Sequence, residues 1–383
     1  MYVTRTYSQL HGKNGYFNSE ALAEVPEGPN LGFLVIKDED EYDQGSCCFG
    51  WFKWKTMITR IRELPPPQNK DLTLTYHDDI NKKFVSIPII FIPVLNQPLS
   101  SNRYYAIKPE GRFKGGAFTC TRKKHTHTNP MPLNPQNIYQ QVEIFQHEEI
   151  CCYPPNYVQY GIKSVASDGF RPYVTTQYDA KWNLYPSTPY QFELSEARGI
   201  DYHLRARLPN LDCSLLCKST KPVIVGKWYC PFMFVKDGRV RDQVERSMYY
   251  VVTLEQRWEQ VFAGKRTYGS CNSVTFDVEK EQVEKNADDG VIWFTSYETE
   301  GGDLGVGLRV EVIERMKWEQ ERGGWEKGKD RKVKIERVEE FQGDWNQFAC
   351  YVLVERFNFR RMDGSLAMAY DFKHTHQIKT IFE

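Results

Sequence analysis

No sign of charge prevails in this chain: 50 Lys and Arg residues stand against 50 Asp and Glu, for a formal net charge of 0. That balance leaves no general field to draw the chain onto nucleic acid or an anionic membrane. Nucleic acid is therefore not expected as a partner. Long apolar runs are missing too. The longest, VSIPIIFIPVL from Val85 to Leu95, is broken by Pro88 and Pro93. It falls short of the ~18 apolar residues that a spanning helix needs, so no transmembrane segment is expected. The opening residues MYVTRTYSQLHGKNGYF carry neither the apolar core nor the cleavage pattern of a secretory leader. The expected location is the cytoplasm.

Catalytic and cofactor motifs are absent as well. GxSxG, HExxH and the Walker loop do not occur, and GGDLGVG from Gly301 to Gly307 lacks the spacing of a dinucleotide fingerprint. No cofactor is called for. The chain has 10 cysteines, yet Cys47-Cys48 and Cys151-Cys152 are adjacent pairs, and Cys213 and Cys217 have no second pair to complete a zinc site. Buried thiols are expected, and no metal site is assigned.

What the chain does have is aromatic weight: 23 Tyr and 22 Phe, residues that favour pleated, half-buried strands. Up to about residue 160, short apolar runs such as NLGFLVI and DLTLTY alternate with Gly, Pro, Asn and Ser turns. Pro88 and Pro93 point to edge or bulged strands. From Val223 onward the runs lengthen: SMYYVVTLEQRWEQVF, GVGLRVEVIERMKWEQE and NQFACYVLVERFNFRRMDG read as long antiparallel strands, with Gly301-Gly302 and Gly323-Gly324 at hairpin turns. Two short helices are expected, one after Pro135 and one in SEARGIDYHLRARL with Ser195 as its N-cap. The fold class is mainly β (β-rich α+β): two antiparallel β domains of sandwich, barrel or prism type with a few short helices. The domains are expected at 1–160 and 161–383, joined within Cys151–Gly169.

Strand alternation selects the candidate chemistry. Val310, Val312, Glu314, Met316 and Trp318 would share one strand face, and Tyr351, Leu353, Glu355, Phe357 and Phe359 another. A carboxylate on an apolar face is costly unless it is paired or used, and burial moves its pKa towards acid–base chemistry. The plainer reading pairs each Glu with an arginine, for example Arg315 or Arg356. His125 and His127 stand in a basic loop, whereas His374 and His376, with Asp371 nearby, would point the same way along a strand. That pair suits acid–base or metal service, or is an ordinary polar face. The catalytic candidates are thus Glu314, Glu355, His374 and His376. The ligand-lining candidates are Trp228, Tyr229, Phe232, Trp318 and Phe359. The first three lie in KWYCPFMFV, a stretch open to three readings: a core strand pair kinked at Pro231, a pocket wall, or a membrane contact.

Several phrases together resemble a known family: MYVTR, EGPNLGFLVI, CCFG, FIPVLNQPLSSNRYYAI, PLNPQNIYQQVEIF, DGFRPYVTTQYDAKWNLYPSTPYQFELSEARG and VIVGKWYCPFMFVKDG. On them the chain is similar to a plant-restricted family of uncharacterised proteins labelled insecticidal-crystal-toxin-like. The resemblance implies a land-plant host, a soluble intracellular setting, a link to defence, stress or specialised metabolism, and a distant β-prism likeness. It carries no catalytic residues with it.

Two functions are expected from this. The first is a plant intracellular binding or interaction protein of defence or stress. It would hold a small hydrophobic molecule, glycan or lipid on aromatic β-surfaces or in an inter-domain cleft. The alternative is a cofactor-free isomerase or cyclase of specialised metabolism using a buried Glu or His. Whether the chain is an enzyme stays open, as does its oligomeric state.

Overall fold

A computed structural model describes residues 1–12, 16–38, 61, 63–78, 82–123, 129–147, 159–171, 182–186, 193–212, 214–265, 274–277, 285–288, 290–294, 305–325, 332–335 and 346–383. The chain divides into two compact units. The first is Met1–Glu196 together with Arg239–Met248, and the second is Ala197–Gly238 with Tyr249–Glu383. The division therefore falls after Glu196, and Tyr160–Ser164, expected near a linker, is a strand of the first unit.

The first unit holds β1 (Tyr2–Thr6) and β2 (Gly32–Ile36), a parallel pair, and β3 (Leu72–Asp78), β4 (Lys83–Pro93), β5 (Arg103–Ile107), β6 (Gln141–Gln146), β7 (Tyr160–Ser164) and β8 (Asn183–Pro186). The last six form an antiparallel sheet in the order β7-β6-β5-β4-β3-β8. An isolated bridge from Tyr160 to Trp182 brings its two edges together without closing a barrel. β4 is internal in this sheet, not at its edge, despite Pro88 and Pro93. The reason is in the register: residues 83–89 pair with β3 and residues 90–93 with β5. Each proline needs hydrogen bonds on one side only, so the missing N–H can face away from the ladder. One face of the sheet buries Leu74, Phe91, Tyr104, Val142, Ile144 and Trp182. The helices here are short: α1 (Tyr7–Leu10) and α2 (Ser19–Ala23). After Pro135 the chain forms only a 3-10 turn, Ile138–Gln140, before entering β6.

The second unit begins with β9 (Gly199–Ile200), α3 (Tyr202–Arg207), β10 (Val223–Pro231) and β11 (Val235–Lys236). α4 (Val240–Arg246) belongs to the first unit. There follow β12 (Tyr249–Lys265), β13 (Val274–Asp277), β14 (Lys285–Asp288), β15 (Val291–Phe294), β16 (Val306–Arg309), α5 (Val310–Arg322), β17 (Lys332–Ile335), β18 (Gln347–Arg361) and β19 (Leu366–Phe382). β10, β12, β18 and β19 are neighbours in one antiparallel sheet, β9 pairs with β10, and β11-β16-β15-β14 form a second. Two of the expected long strands are present, β12 with 17 residues and β18 with 15, and β19 adds a further 17-residue strand.

Two local expectations change. VEVIERMKW is helical, not a strand, because Val312, Ile313, Met316, Glu319 and Gln320 recur at a spacing of three or four and form its buried stripe. Its Glu, Arg, Met and Gln residues are strong helix formers, and no ladder partner pulls them extended. Gly323-Gly324 then ends this helix instead of turning a hairpin. Gly324 takes φ 83, and the Trp325 N–H closes back on the Gln320 carbonyl at 2.9 Å. In SEARGIDYHLRARL, Gly199 at φ 84 is held in β9, so the helix starts only at Tyr202. Asp201 caps it by accepting from the Leu204 N–H at 2.9 Å, in place of Ser195.

Candidate functional site

The register of the long sheet decides which side chains meet. Gln256 on β12 stands opposite Glu355 on β18; Glu355 stands opposite Phe372, and Leu353 opposite His374, on β19. Directly opposed residues point to the same face. Tyr351, Leu353, Glu355, Phe357 and Phe359 do share a face, as their alternation implied, and all five are buried. α3 and α5 reach this face with Arg205 and Gln320.

Around Glu355 a closed polar cluster results. Arg205 donates from Nε to Oε1 at 2.8 Å and from Nη2 to Oε2. Gln256 Nε2 donates to Oε1 at 2.8 Å, and Gln320 Nε2 to Oε2 at 2.7 Å. His374 Nε2 lies 3.6 Å from Oε2 and 2.9 Å from Gln320 Oε1. Glu355 and His374 are each only 1% exposed. Burial by itself raises the Glu355 pKa, but the hydrogen bonds and charges of His374 and Arg205 outweigh it and hold the carboxyl at about 2. Because Gln320 Oε1 can only accept, His374 Nε2 is the protonated nitrogen, and its buried Nδ1 is left without a partner.

α5 is fastened by the same cluster. Arg205 Nη1 donates to the Glu319 carbonyl at 2.9 Å. Arg315 pairs with the Glu319 carboxylate, whose pKa is nevertheless raised by burial. The guanidinium lies so close to the end of α5 that a Cβ on Gly323 would sit 2.1 Å from Arg205 Nη2. Glycine is required there for space, not for its backbone angle.

Chemically this arrangement is a poor acid–base device. A general base must reach the proton it takes, with a pKa near the working pH. Each Glu355 oxygen already receives two donors, and the group titrates at about 2. The pairing expected for this carboxylate exists, but the arginine is Arg205, not Arg315 or Arg356.

The other candidates disperse. Glu314 is on the exposed side of α5, away from the buried stripe that contains Glu311 and Glu319. His376 is exposed, because β19 carries Thr375, His376 and Gln377 as extra residues between the pairs Leu353–His374 and Val352–Ile378. That bulge breaks the alternation on which a shared His374–His376 direction depended; their ring centroids are 5.6 Å apart. Asp371 serves Arg356 and Arg257, not the histidines. His125, His127, Cys213 and the Gly301-Gly302 pair lie outside the described residues. Among the described residues no group of three His, Cys, Asp or Glu side chains is placed to hold a metal ion.

The aromatic candidates divide in the same way. Trp228, Tyr229, Phe232 and Phe359 are 0%, 1%, 2% and 0% exposed. Trp228 packs on Phe357 at 5.9 Å and Tyr229 on Tyr249 at 6.3 Å. KWYCPFMFV is thus a core strand that turns at Pro231 into a buried 3-10 segment, Phe232–Phe234. Trp318 is half-buried on α5, with the Arg315 and Arg322 guanidinium groups 4.3 and 4.7 Å over its ring. Gln256, Gln320 and Arg205 were not foreseen. Gln256 alone had a visible signal, since it shares the inward phase of Leu254 and Trp258.

The opposite face of β12, β18 and β19 buries Val352, Val354 and Asn358 and carries a part-exposed charged patch around Arg356. Arg356 binds Asp371 through two bonds of 2.6 Å, Arg257 reaches Glu259 at 3.0 Å, and a shallow basin of about 610 Å³ is lined by Lys218, Glu255, Arg257, Glu259 and Arg356.

The family model described as "Protein of unknown function (DUF1262)" matches residues 27–130. That span contains EGPNLGFLVI, CCFG and FIPVLNQPLSSNRYYAI. No curated protein matches the chain. Among solved structures, "Crystal structure of Cry35Ab1" is similar at 12% sequence identity and a TM-score of 0.44, over 83% of this chain and 90% of that one. Nothing about function follows from a likeness of that size. Among the described residues no helix is long and apolar enough to cross a membrane.

Proposed function

We propose that the chain is a non-catalytic binding protein that meets its ligand on open surfaces, and that the Glu355 cluster is a structural fastening. The observation that carries this reading is the saturation of Glu355, which is 1% exposed and bonded by Arg205, Gln256 and Gln320. A buried carboxylate whose lone pairs are filled stabilises one arrangement of its neighbours and has little left for a substrate. Trp228, Tyr229 and Phe232 of KWYCPFMFV are in the core and take no part in holding a ligand. The resemblance of the sequence phrases to a plant family supports a plant, intracellular setting and a role in defence or stress.

The test is native mass spectrometry on protein expressed in plant tissue, wild type beside Glu355→Gln. The expected result is the same bound species, chemically unaltered, in both, with a lowered Tm in the variant. The enzyme reading gains instead if the wild type converts the bound molecule and Glu355→Gln, with its Tm unchanged, loses ~10²-fold or more of that rate.

A further inference from the structure

In the first unit a cleft of about 450 Å³ is lined by Tyr16, Phe17, Glu63, Asn102, Glu143 and Phe145, among others. Its size falls in the ~300–1,000 Å³ range of small-molecule sites. The aromatic walls are held in place by neighbours. Phe17 is stacked on His11 at 4.6 Å and meets Tyr7 edge-on at 5.1 Å. Phe145 stands opposite Gly161, and a Cβ there would lie 2.4 Å from its ring Cζ, so the ring rests on bare backbone. Tyr16 is 68% exposed.

The polar groups narrow the ligand. Two carboxylates, Glu63 and Glu143, disfavour an anion. Glu143 is already bound by Lys163 at 2.7 Å and stands opposite Arg103, while Glu63 has His11 at 3.5 Å. A cation would have to displace Lys163 and compete with His11. A neutral polyol need do neither, because an ionised carboxylate has about four lone-pair sites and accepts from hydroxyls beside an existing partner. The amide of Asn102 can both donate and accept. The faces of aromatic rings carry partial negative charge and attract the weakly positive C–H face of a saturated ring.

We propose that this cleft binds a neutral sugar ring, with its C–H face on Tyr16, Phe17 and Phe145 and its hydroxyls on Glu63, Glu143 and Asn102. The proposal rests on the reading of the chain as a binder, and the two fail differently. A sugar that binds and is then converted overturns the non-catalytic reading and leaves the cleft. A chain that binds no sugar loses the cleft alone.

Saturation-transfer NMR on the full chain tests it, using the methyl glycosides of glucose, galactose and mannose and chitotriose as probes, with tetramethylammonium chloride and inorganic phosphate as counter-probes. Expected is binding of at least one sugar, on the order of millimolar Kd, weakened about 3–10-fold by Tyr16→Ala. Tyr16 is exposed, so that variant should keep its Tm; Glu63→Gln serves as the second variant. The proposal is overturned if no sugar probe binds, if either counter-probe competes for the cleft, or if neither variant weakens the sugar.

Discussion

The two faces of the β12-β18-β19 sheet carry the same pairing in opposite surroundings. On one face Arg205 grips Glu355 with Nε and Nη2; in the part-exposed patch on the other, Arg356 grips Asp371 in the same two-pronged way. The side chains of Arg205 and Glu355 are 7% and 1% exposed, those of Arg356 and Asp371 36% and 27%. Geometry alone would rank the pairs as equals. Solvent separates them: water screens the outer pair and replaces either partner cheaply, whereas the inner pair has no substitute if one member is removed.

The sharpest way to break this comparison is Arg205→Met, which leaves the Glu355 charge buried and unpaired. A loss of about 3–5 kcal/mol in denaturant unfolding is expected. The double variant Arg205→Met with Glu355→Leu should recover most of it, since removing both charges also removes their desolvation cost. A double variant no more stable than the single one would mean that the cluster is needed for more than charge balance.

Acid should reveal the inner pair next. Glu355 titrates at about 2 when folded against 4.5 ordinarily, so between those pH values the unfolded chain binds more protons. Its contribution is present above pH 4.5 and is lost as pH falls towards 2, on the order of a few kcal/mol. Glu319 opposes this slope, because burial raises its pKa and its ionised form costs stability. The clean readout is therefore the difference between wild type and Glu355→Gln, whose acid limb should be flatter.

Gly323→Ala probes the same fastening from the backbone side. Its methyl would meet Arg205 Nη2 at 2.1 Å and should cost about 1–3 kcal/mol, as overpacking does. Gly238→Ala is the control, with φ 84 and no atom within 4 Å, so its cost is conformational only. At the bottom of the scale, Asp371→Asn in the part-exposed patch should cost less than about 1 kcal/mol, and less still in high salt. A larger, salt-insensitive effect would erase the distinction between the faces.

Much of this frame was legible in the amino-acid order. The β class, the long strands and the shared face of Tyr351 to Phe359 follow from alternation, which needs no partner to be read. VEVIERMKW misled because its apolar residues fit a period of 2 as well as one of 3.6 over nine positions, and tertiary packing chose the helix. His374 and His376 misled because a bulge leaves no mark on the composition of a strand. Arg205 was out of reach altogether: it lies 150 positions from Glu355, and only the folded sheet brings them together.

The bulge in β19 also gives this strand spare length. Thr375, His376 and Gln377 stand as extra residues between the pairs Leu353–His374 and Val352–Ile378. A related chain lacking one, two or all three can keep Leu353 on its histidine and Val352 on its isoleucine, with every later side chain on its present face. A one-residue deletion elsewhere in the strand would flip the rest of it. For the same reason the stretch is a natural port for inserting a reporter or tag, where extra residues loop outward and the sheet is left as it was.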